Sequence, residues 1–202
     1  MPATDHYFSS APQSEPDPVE ISVEVRGKTF LLQSDRGVFS RERIDTGSMV
    51  LARTFDVSAA QTVLDLGCGY GFLGILAAVL APQSQVTLVD VNPRAADLAR
   101  TNCQRYQLAN TEVLTGDALE VLGDRRFDTI LCNPPYRVGK VQVMALLEDA
   151  GKRLTPGGTL WIVGRTKQGI KTLARDMSPC FADTRTAEVK SGYRVIRFSA
   201  AS

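Results

Sequence analysis

The chain has 202 residues, of which 44% are hydrophobic and 22% charged, and its formal net charge is +1 at pH 7. This length and composition fit one globular domain with a short extension, and they exclude collagen-like and wholly disordered chains. The longest apolar stretch, residues 72–82, is too short to cross a bilayer, and the N-terminus lacks the basic and apolar regions of a signal peptide.

The four cysteines lie far apart, and the single histidine, His6, stands near the N-terminus. These residues form no zinc-binding pattern, so we expect a protein without a metal site. Unpaired cysteines are typical of a reducing compartment, which predicts a cytoplasmic protein with free thiols and no membrane association.

Residues 1–18 contain four prolines among small and polar residues, which predicts a flexible arm followed by one domain over residues 19–202. Alternating apolar residues indicate a β-hairpin at 19–25 and 29–33, and a short helix follows at 46–55, capped by Asp45 or Thr46. Further strands are expected at 63–66, 86–91, 111–114, 127–132 and 159–163, helices at 72–80, 93–108, 141–154 and 167–177, and a closing antiparallel hairpin at 186–189 and 193–198. This alternation predicts an α/β fold whose parallel sheet carries helices on both faces.

A glycine-rich stretch, DLGCGYG, occupies residues 65–71, directly after the first strand of the α/β part. Glycines let a ligand approach the backbone closely, and Asp90, at the end of the next strand, is placed to bind both hydroxyls of a ribose. The pattern fits an S-adenosylmethionine loop, or a dinucleotide GxGxxG loop with Asp90 21 residues after Gly69. We favour the methyl donor, because the dinucleotide frame would put Asp65 and Gly67, two poor strand formers, inside a strand. Asp117 follows the third strand, where it is placed to accept a hydrogen bond from an adenine amino group.

The fourth strand is followed by Asn133, Pro134, Pro135 and Tyr136. Two consecutive prolines lack backbone donors and hold the chain extended, which predicts carbonyl oxygens that point away from the sheet. These oxygens and that of the Asn133 side chain suit a planar NH₂ group, whose ring or amide plane can stack on Tyr136. Acceptors that hold both hydrogens stabilise the positive charge that develops as a methyl group arrives. The motif predicts methyl transfer to an amino group without a general base.

Charge is unevenly distributed, because residues 1–150 carry a formal charge of −6 and residues 151–202 carry +7. A basic C-terminal quarter, with Arg137 and Lys140 beside the Asn-Pro-Pro-Tyr motif, fits a phosphate-rich partner such as RNA. The alternative is that these charges belong to solvated faces of helices and strands. Two functions of other classes also stay open: an NAD-dependent oxidoreductase, for which no hydride-transfer acid is evident, and a catalytically silent S-adenosylmethionine-binding module.

These motifs, in this order and spacing, resemble those of class I S-adenosylmethionine-dependent methyltransferases that act on amino groups. The stretches GVFS at 37–40 and IDTGS at 44–48, the hairpin before them, and residues 167–169 and 192–193 resemble the small methyltransferase domain. That domain is the catalytic part of bacterial 16S ribosomal RNA guanine-N2 methyltransferases and of their single-domain relatives. The resemblance covers residues 19–199. It implies a Rossmann-like sheet of seven strands, mostly parallel with the last strand antiparallel, and an N-terminal hairpin extension.

The resemblance also implies S-adenosylmethionine as cofactor and a guanine of ribosomal RNA, or of a ribosomal subunit, as substrate. The residues that would hold the acceptor amine are Asn133, Pro134, Pro135 and Tyr136. The residues that would bind the cofactor are Asp45, Thr46, Asp65, Gly67, Cys68, Gly69, Gly71, Asp90, Val91, Asp117, Ala118 and Asn133. The guanine-N2 enzymes usually have Phe where this chain has Tyr136, whereas adenine-N6 and protein-glutamine methyltransferases have tyrosine, so these two acceptors stay open.

Overall fold

The computed structural model describes residues 15–58 and 61–202. It begins with a hairpin of β1 (Val19–Val25) and β2 (Lys28–Ser34), whose alternate apolar side chains are buried as predicted. Residues 1–14 of the predicted arm lie outside the described residues. Asp17, which the sequence places in that arm, forms ion pairs with Arg36 and Arg41, so the chain is already held against the domain there.

A seven-stranded sheet forms the centre of the molecule. Its strands are β3 (Thr62–Leu66), β4 (Gln85–Asp90), β5 (Thr111–Thr115), β6 (Phe127–Cys132), β7 (Leu154–Arg165), β8 (Asp183–Lys190) and β9 (Tyr193–Ser199), and their order is β5-β4-β3-β6-β7-β9-β8. The strands from β3 to β7 pair in parallel, and β9 is antiparallel to both β7 and β8. The predicted fold class, including the antiparallel last strand, is confirmed.

In the described residues, α1 (Thr46–Thr54) precedes the sheet, and five further helices connect its strands: α2 (Phe72–Leu80), α3 (Pro93–Arg105), α4 (Ala118–Val121), α5 (Lys140–Lys152) and α6 (Ile170–Met177). The sequence did not predict α4. The helix expected from residue 167 begins only at Ile170, because Gly169 adopts a left-handed φ of +86° and a single 3₁₀ turn precedes it. No helix in the described part of the chain is long and apolar enough to span a membrane.

Helices cover both faces of the sheet, since its central strands are buried on both sides, whereas the edge strand β8 is mostly exposed. One face packs against α1, α2 and the hairpin, and the other against α5 and α6. The buried Asn102 on α3 ties the hairpin to this core, because its side-chain amide donates to the carbonyl oxygens of Gln33 and Tyr70 at 2.9 Å each. This contact fixes the start of segment 35–44, which crosses the carboxyl ends of the strands. In open parallel sheets this edge is where ligands bind.

Candidate active site

A cavity of about 490 Å³ opens at the carboxyl edge of the sheet, a volume that suits a nucleoside-sized ligand. We call its two ends the donor half and the acceptor half. The donor half is lined by the glycine loop after β3, by Asp90 and by Asp117. The acceptor half is lined by the Asn-Pro-Pro-Tyr turn after β6 and by the ends of β7 and β9.

The glycine loop of the donor half is held by Asp90. The backbone N–H of Gly69 donates to Asp90 Oδ2 at 2.8 Å, and that of Asn92 donates to Oδ1 at 2.9 Å. Gly67 and Gly69 adopt left-handed φ angles of +71° and +57°, and a Cβ on either would meet no atom within 4 Å. Their backbone therefore faces open space, and a ligand can approach it closely. Burial raises the pKa of Asp90 in spite of the two N–H groups that favour its charged form.

Asp65 lies beneath this loop and is buried. Its Oδ2 accepts a hydrogen bond of 2.7 Å from the Gly74 N–H, which fixes the first turn of α2. Burial raises the pKa of Asp65 to about 7, although the Gly74 hydrogen bond opposes this shift. Cys68 also lines the cavity, and burial together with the nearby carboxylates of Asp65 and Asp90 raises the pKa of its thiol, so it stays protonated. We infer a structural role for both residues at the loop.

Two predicted cofactor residues do not line the cavity. Gly71 turns into the protein, where an added Cβ would lie 3.2 Å from side-chain atoms of Ala99, Ile75 and Leu88, so it serves helix packing. Thr46 is exposed as the first residue of α1, and Ser48 lines the cavity in its place. The sequence could not predict that Gly71 and Thr46 stay outside the cavity, because the spacing of residues in a motif does not specify the direction in which each one faces.

The far end of the donor half is lined by Val91, Asp117 and Ala118, all three of them predicted. Val91 is 40% exposed, which leaves an apolar surface against which a flat ring can pack. Asp117 caps α4 by accepting a hydrogen bond of 2.8 Å from the Leu119 N–H. Its carboxylate is exposed and keeps free acceptor positions for a ligand amine.

Segment 35–44 covers the cavity from the side of the hairpin. The side-chain amide of Asn92 donates to the Gly37 carbonyl oxygen at 2.9 Å, and Val38, Phe39 and Ser40 then line the cavity. Phe39 is 42% exposed, so an aromatic face stands at the entrance. The sequence marked this segment only as a family resemblance and did not assign it to the site.

The Asn133 side chain is oriented by residues from the start of α1. Its Nδ2 donates to Asp45 Oδ2 at 3.1 Å and to Ser48 Oγ at 3.0 Å. The same Asp45 oxygen caps α1 by accepting from the Ser48 N–H at 3.1 Å. Because an ionised carboxylate only accepts hydrogen bonds, the NH₂ group of Asn133 must face Asp45. Both amide protons are thereby engaged, and the Asn133 carbonyl oxygen is left for a ligand.

The two prolines and Tyr136 complete the acceptor half. The carbonyl oxygen of Pro134 accepts from the Tyr136 N–H at 2.9 Å, and that of Pro135 accepts from the Val138 N–H at 3.0 Å. Neither bond belongs to the sheet, so each carbonyl oxygen is used once within the turn and keeps a second lone pair. The Tyr136 hydroxyl donates to the Val163 carbonyl oxygen at 2.9 Å, and a Cβ at Gly164 would collide with this hydroxyl. Burial raises the pKa of Tyr136, so its hydroxyl remains a donor.

An arginine and a tyrosine from β7 and β9 form the outer wall of the acceptor half. Arg165 Nε donates to the Tyr193 hydroxyl at 2.7 Å, and this bond raises the pKa of Arg165. The Tyr193 ring packs against α1 at Gly47, where a Cβ would approach it to 2.9 Å. Arg137 lines the cavity and is exposed, whereas Lys140 is turned toward α6 by an ion pair of 2.6 Å with Asp176.

Sequence reasoning did not assign several cavity residues to the site. They are Val38, Phe39, Ser40, Ser48, Tyr70, Phe72, Leu73, Asn92, Arg165, Gln168 and Tyr193. For most of them a clue was present, since Tyr70 stands inside the glycine-rich stretch and the residues at 38–40, 48, 168 and 193 fall inside the short stretches that carried the family resemblance. Phe72, Leu73, Asn92 and Arg165 stand outside these stretches, and their positions depend on the tertiary fold.

Comparison with known proteins adds an independent finding. Residues 29–197 match the family model named methyltransferase small domain. YbxB of Bacillus subtilis (strain 168), described as an uncharacterized protein, is 33% identical over 196 residues, which is 96% of this chain and 98% of YbxB. Ribosomal RNA large subunit methyltransferase G of Shewanella loihica is 29% identical over 192 residues, which is 89% of this chain and 47% of that protein.

Solved structures resemble this fold as well. The 16S rRNA N2 methyltransferase RsmC of T. thermophilus, in complex with AdoMet and guanosine, gives a TM-score of 0.78 at 25% sequence identity. The match covers 94% of this chain and 52% of RsmC. The chain therefore spans about half the length of the ribosomal RNA methyltransferases that it matches.

Proposed function

Because this chain belongs to the methyltransferase small domain family, we propose that it transfers a methyl group to the exocyclic N2 amine of a guanine in ribosomal RNA. The observation that carries the proposal is the orientation of Asn133. Asp45 and Ser48 take both protons of its amide, so its carbonyl oxygen is the group presented to an acceptor. A single acceptor oxygen fixed beside an aromatic ring fits an NH₂ group on a flat base.

S-adenosylmethionine is the cofactor of this family, as predicted, and the residues of the donor half fit it. The open space beside the backbone of Gly67 and Gly69 supports binding of the methionine part there, and the rigidly held carboxylate of Asp90 supports a contact with the ribose. Asp117 and Val91, which line the far end of the donor half, support binding of the adenine ring there. When bound, this cofactor supplies an electrophilic methyl group on a sulfonium sulfur.

The chain's own part in the reaction is to hold the acceptor nitrogen. Asn133 Oδ1 and the second lone pair of the Pro134 carbonyl are placed to accept the two amine hydrogens. This grip becomes stronger as the nitrogen gains positive charge, so it acts mainly in the transition state. Tyr136 supplies the ring against which the base stacks, and its hydroxyl is occupied by Val163. That hydroxyl is therefore not needed at the amine, and a tyrosine here does not favour adenine or glutamine over guanine.

We propose ribosomal RNA as the substrate because several relatives of this chain are named as ribosomal RNA methyltransferases. A direct test is to supply labelled S-adenosylmethionine with ribosomal RNA, ribosomal subunits and total protein in parallel reactions. The RNA product is then digested to nucleosides and identified by chromatography. We expect N2-methylguanosine from the wild type and no label with Asn133→Ala. Label in N6-methyladenosine or in glutamine of a protein would contradict the proposed acceptor.

A further inference from the structure

Three strands end side by side at the outer rim of the acceptor half. In the sheet register Arg165 of β7 stands opposite Tyr193 of β9, and Tyr193 stands opposite Lys190 of β8. Residues in register point to the same face of a sheet, so Arg165 and Lys190 flank Tyr193 on one side. The Thr166 N–H donates to the Gly192 carbonyl oxygen at 2.9 Å, which holds the β8–β9 turn against the start of segment 166–168. Lys167 lies in that segment.

We call Arg165, Lys167 and Lys190 the cationic edge. All three side chains are exposed, and among the described residues the two lysines form no ion pair. Arg165 contacts Tyr193 through Nε and its ring face, which leaves the two terminal nitrogens of the guanidinium without a partner in the described part of the chain. Arg165 is also one of the residues that line the cavity.

Other basic residues of the C-terminal quarter are used within the protein. Arg153, Arg175 and Arg185 form ion pairs with Asp149, Asp176 and Asp183 respectively. The charge excess of residues 151–202 is therefore not one uniform surface. Within the described residues, the basic residues of this quarter that form no ion pair and lie at the carboxyl edge of the sheet stand beside the cavity. Across the cavity, the exposed Asp117 lines the far end of the donor half, and the exposed Glu120 follows it on α4.

We propose that the cationic edge binds the phosphates that flank the target nucleotide of a single-stranded RNA segment. This inference rests on the proposed function and names the surface by which that substrate is held. A polyanion is attracted to Arg165, Lys167 and Lys190 and repelled by Asp117 and Glu120, so the strand enters the site from the β8 side. The target base then reaches Asn133 from an unpaired segment, because a base inside a duplex cannot expose its amine to an enclosed cavity.

The test compares Lys167→Gln/Lys190→Gln with Arg175→Gln/Arg185→Gln, which removes the same charge from paired residues away from the cavity. Binding to a single-stranded RNA oligonucleotide is measured by fluorescence anisotropy across a salt series. Each lost phosphate contact should reduce the slope of log K against log salt by about 0.7, which is about fivefold in affinity per contact at 0.1 M salt. We expect Lys167→Gln/Lys190→Gln to lose the slope and the affinity of two phosphate contacts, and the control to bind like the wild type. Arg165→Gln should lose the slope and the affinity of one contact.

The outcomes separate this inference from the proposed function. If the wild type methylates RNA, and Lys167→Gln/Lys190→Gln has the same RNA affinity and salt slope, then the proposed role of the cationic edge is wrong. The proposed function is unaffected by that result. A wild type that binds RNA through these residues but transfers methyl groups only to protein would support the edge and overturn the proposed function. A wild type that does not bind RNA overturns the edge. Calorimetry with S-adenosylmethionine should give the same affinity for the wild type and both double variants.

Discussion

The donor half of the cavity is built mainly from backbone, and the acceptor half mainly from side chains of distant segments. In the donor half a loop of glycines is held by Asp90, which lies one strand away. In the acceptor half Asn133 depends on Asp45 and Ser48, which precede it by 88 and 85 residues. Only Asn133 was predicted to bind both ligands, and it lines the acceptor half. Binding of the donor and turnover should therefore respond to different substitutions.

The largest effect is expected from Asn133→Ala. Loss of the acceptor oxygen removes a contact that acts in the transition state, so kcat should fall by ~10²–10³-fold, as it does for a lost oxyanion-hole donor. Affinity for S-adenosylmethionine, measured by calorimetry, should stay near the wild-type value. Wild-type turnover in this variant would show that the Asn-Pro-Pro-Tyr turn is only structural.

Asn133→Asp sharpens this prediction. The new carboxylate would face that of Asp45 at the 3.1 Å contact now made by the amide, and two like charges repel there. We expect turnover at neutral pH no better than that of Asn133→Ala. Activity near the wild-type level would indicate that Asp45 does not orient residue 133.

In the donor half the corresponding substitution is Asp90→Ala. It removes the acceptor for the Gly69 and Asn92 N–H groups and for the ribose hydroxyls, so donor binding should weaken by about 1–3 kcal/mol. The measurement is calorimetry with S-adenosylmethionine. Asp97→Ala is a matched control, because it removes an exposed carboxylate whose one ion pair within the described residues is with Arg100. Equal affinities in the two variants would contradict the role of Asp90.

Asp45→Ala tests whether turnover depends on the orientation of the Asn133 side chain, because Asn133 itself is kept in this variant. Loss of a charged hydrogen bond of about 1.5 kcal/mol should lower kcat about tenfold, with donor affinity changed less. The variant also loses the cap of α1, at a cost of about 1 kcal/mol in stability to urea. Asp45→Asn keeps an acceptor oxygen for the Asn133 amide and for the Ser48 N–H, so it should restore much of kcat and much of the stability. If it restores stability but not kcat, the charge of Asp45 has a further role.

The smallest effect is expected from Tyr136→Phe. The ring that stacks on the acceptor is kept, and only the hydrogen bond to Val163 is lost, so kcat should stay close to the wild-type value. Stability should fall by about 0.5–1.5 kcal/mol, the usual value of one hydrogen bond, as measured by urea unfolding. Tyr136→Ala removes the ring and should lose turnover. A large loss of kcat in the Phe variant would place the hydroxyl in the reaction.

The two halves also differ in how far sequence alone could predict them. The glycine loop and Asp90 were found because a local motif and a fixed spacing specify a strand–loop–helix unit. Its exception, Gly71, differs from Gly67 and Gly69 only in the direction its backbone faces, which depends on the packing of Ala99 and Leu88.

In the acceptor half the motif at 133–136 was evident, but its supporting residues were not. Ser48, Arg165 and Tyr193 reach the cavity because α1 packs across β7 and β9. No periodicity within one segment encodes that contact. Every strand of the sheet was predicted, because most of them are buried and bounded by glycine, proline or polar turns, although the edge strand β8 is mostly exposed. The early start of β7 at Leu154 was not predicted, since residues 155–158 were expected only to end a helix. The start of α6 was missed because a left-handed Gly169 interrupts an otherwise helical pattern.

Gly164 has a consequence for how this enzyme can change its substrate range. A single methyl group at this position would occupy the space of the Tyr136 hydroxyl, so residues 164 and 136 form a size-matched pair. Enlarging residue 164 first would displace the Tyr136 ring, whose Cζ would lie 2.6 Å from the new Cβ, whereas Tyr136→Phe leaves the ring in place. Directed evolution toward bulkier acceptors should therefore start from libraries in which both positions vary together, since scanning position 164 alone beside an intact Tyr136 yields inactive variants.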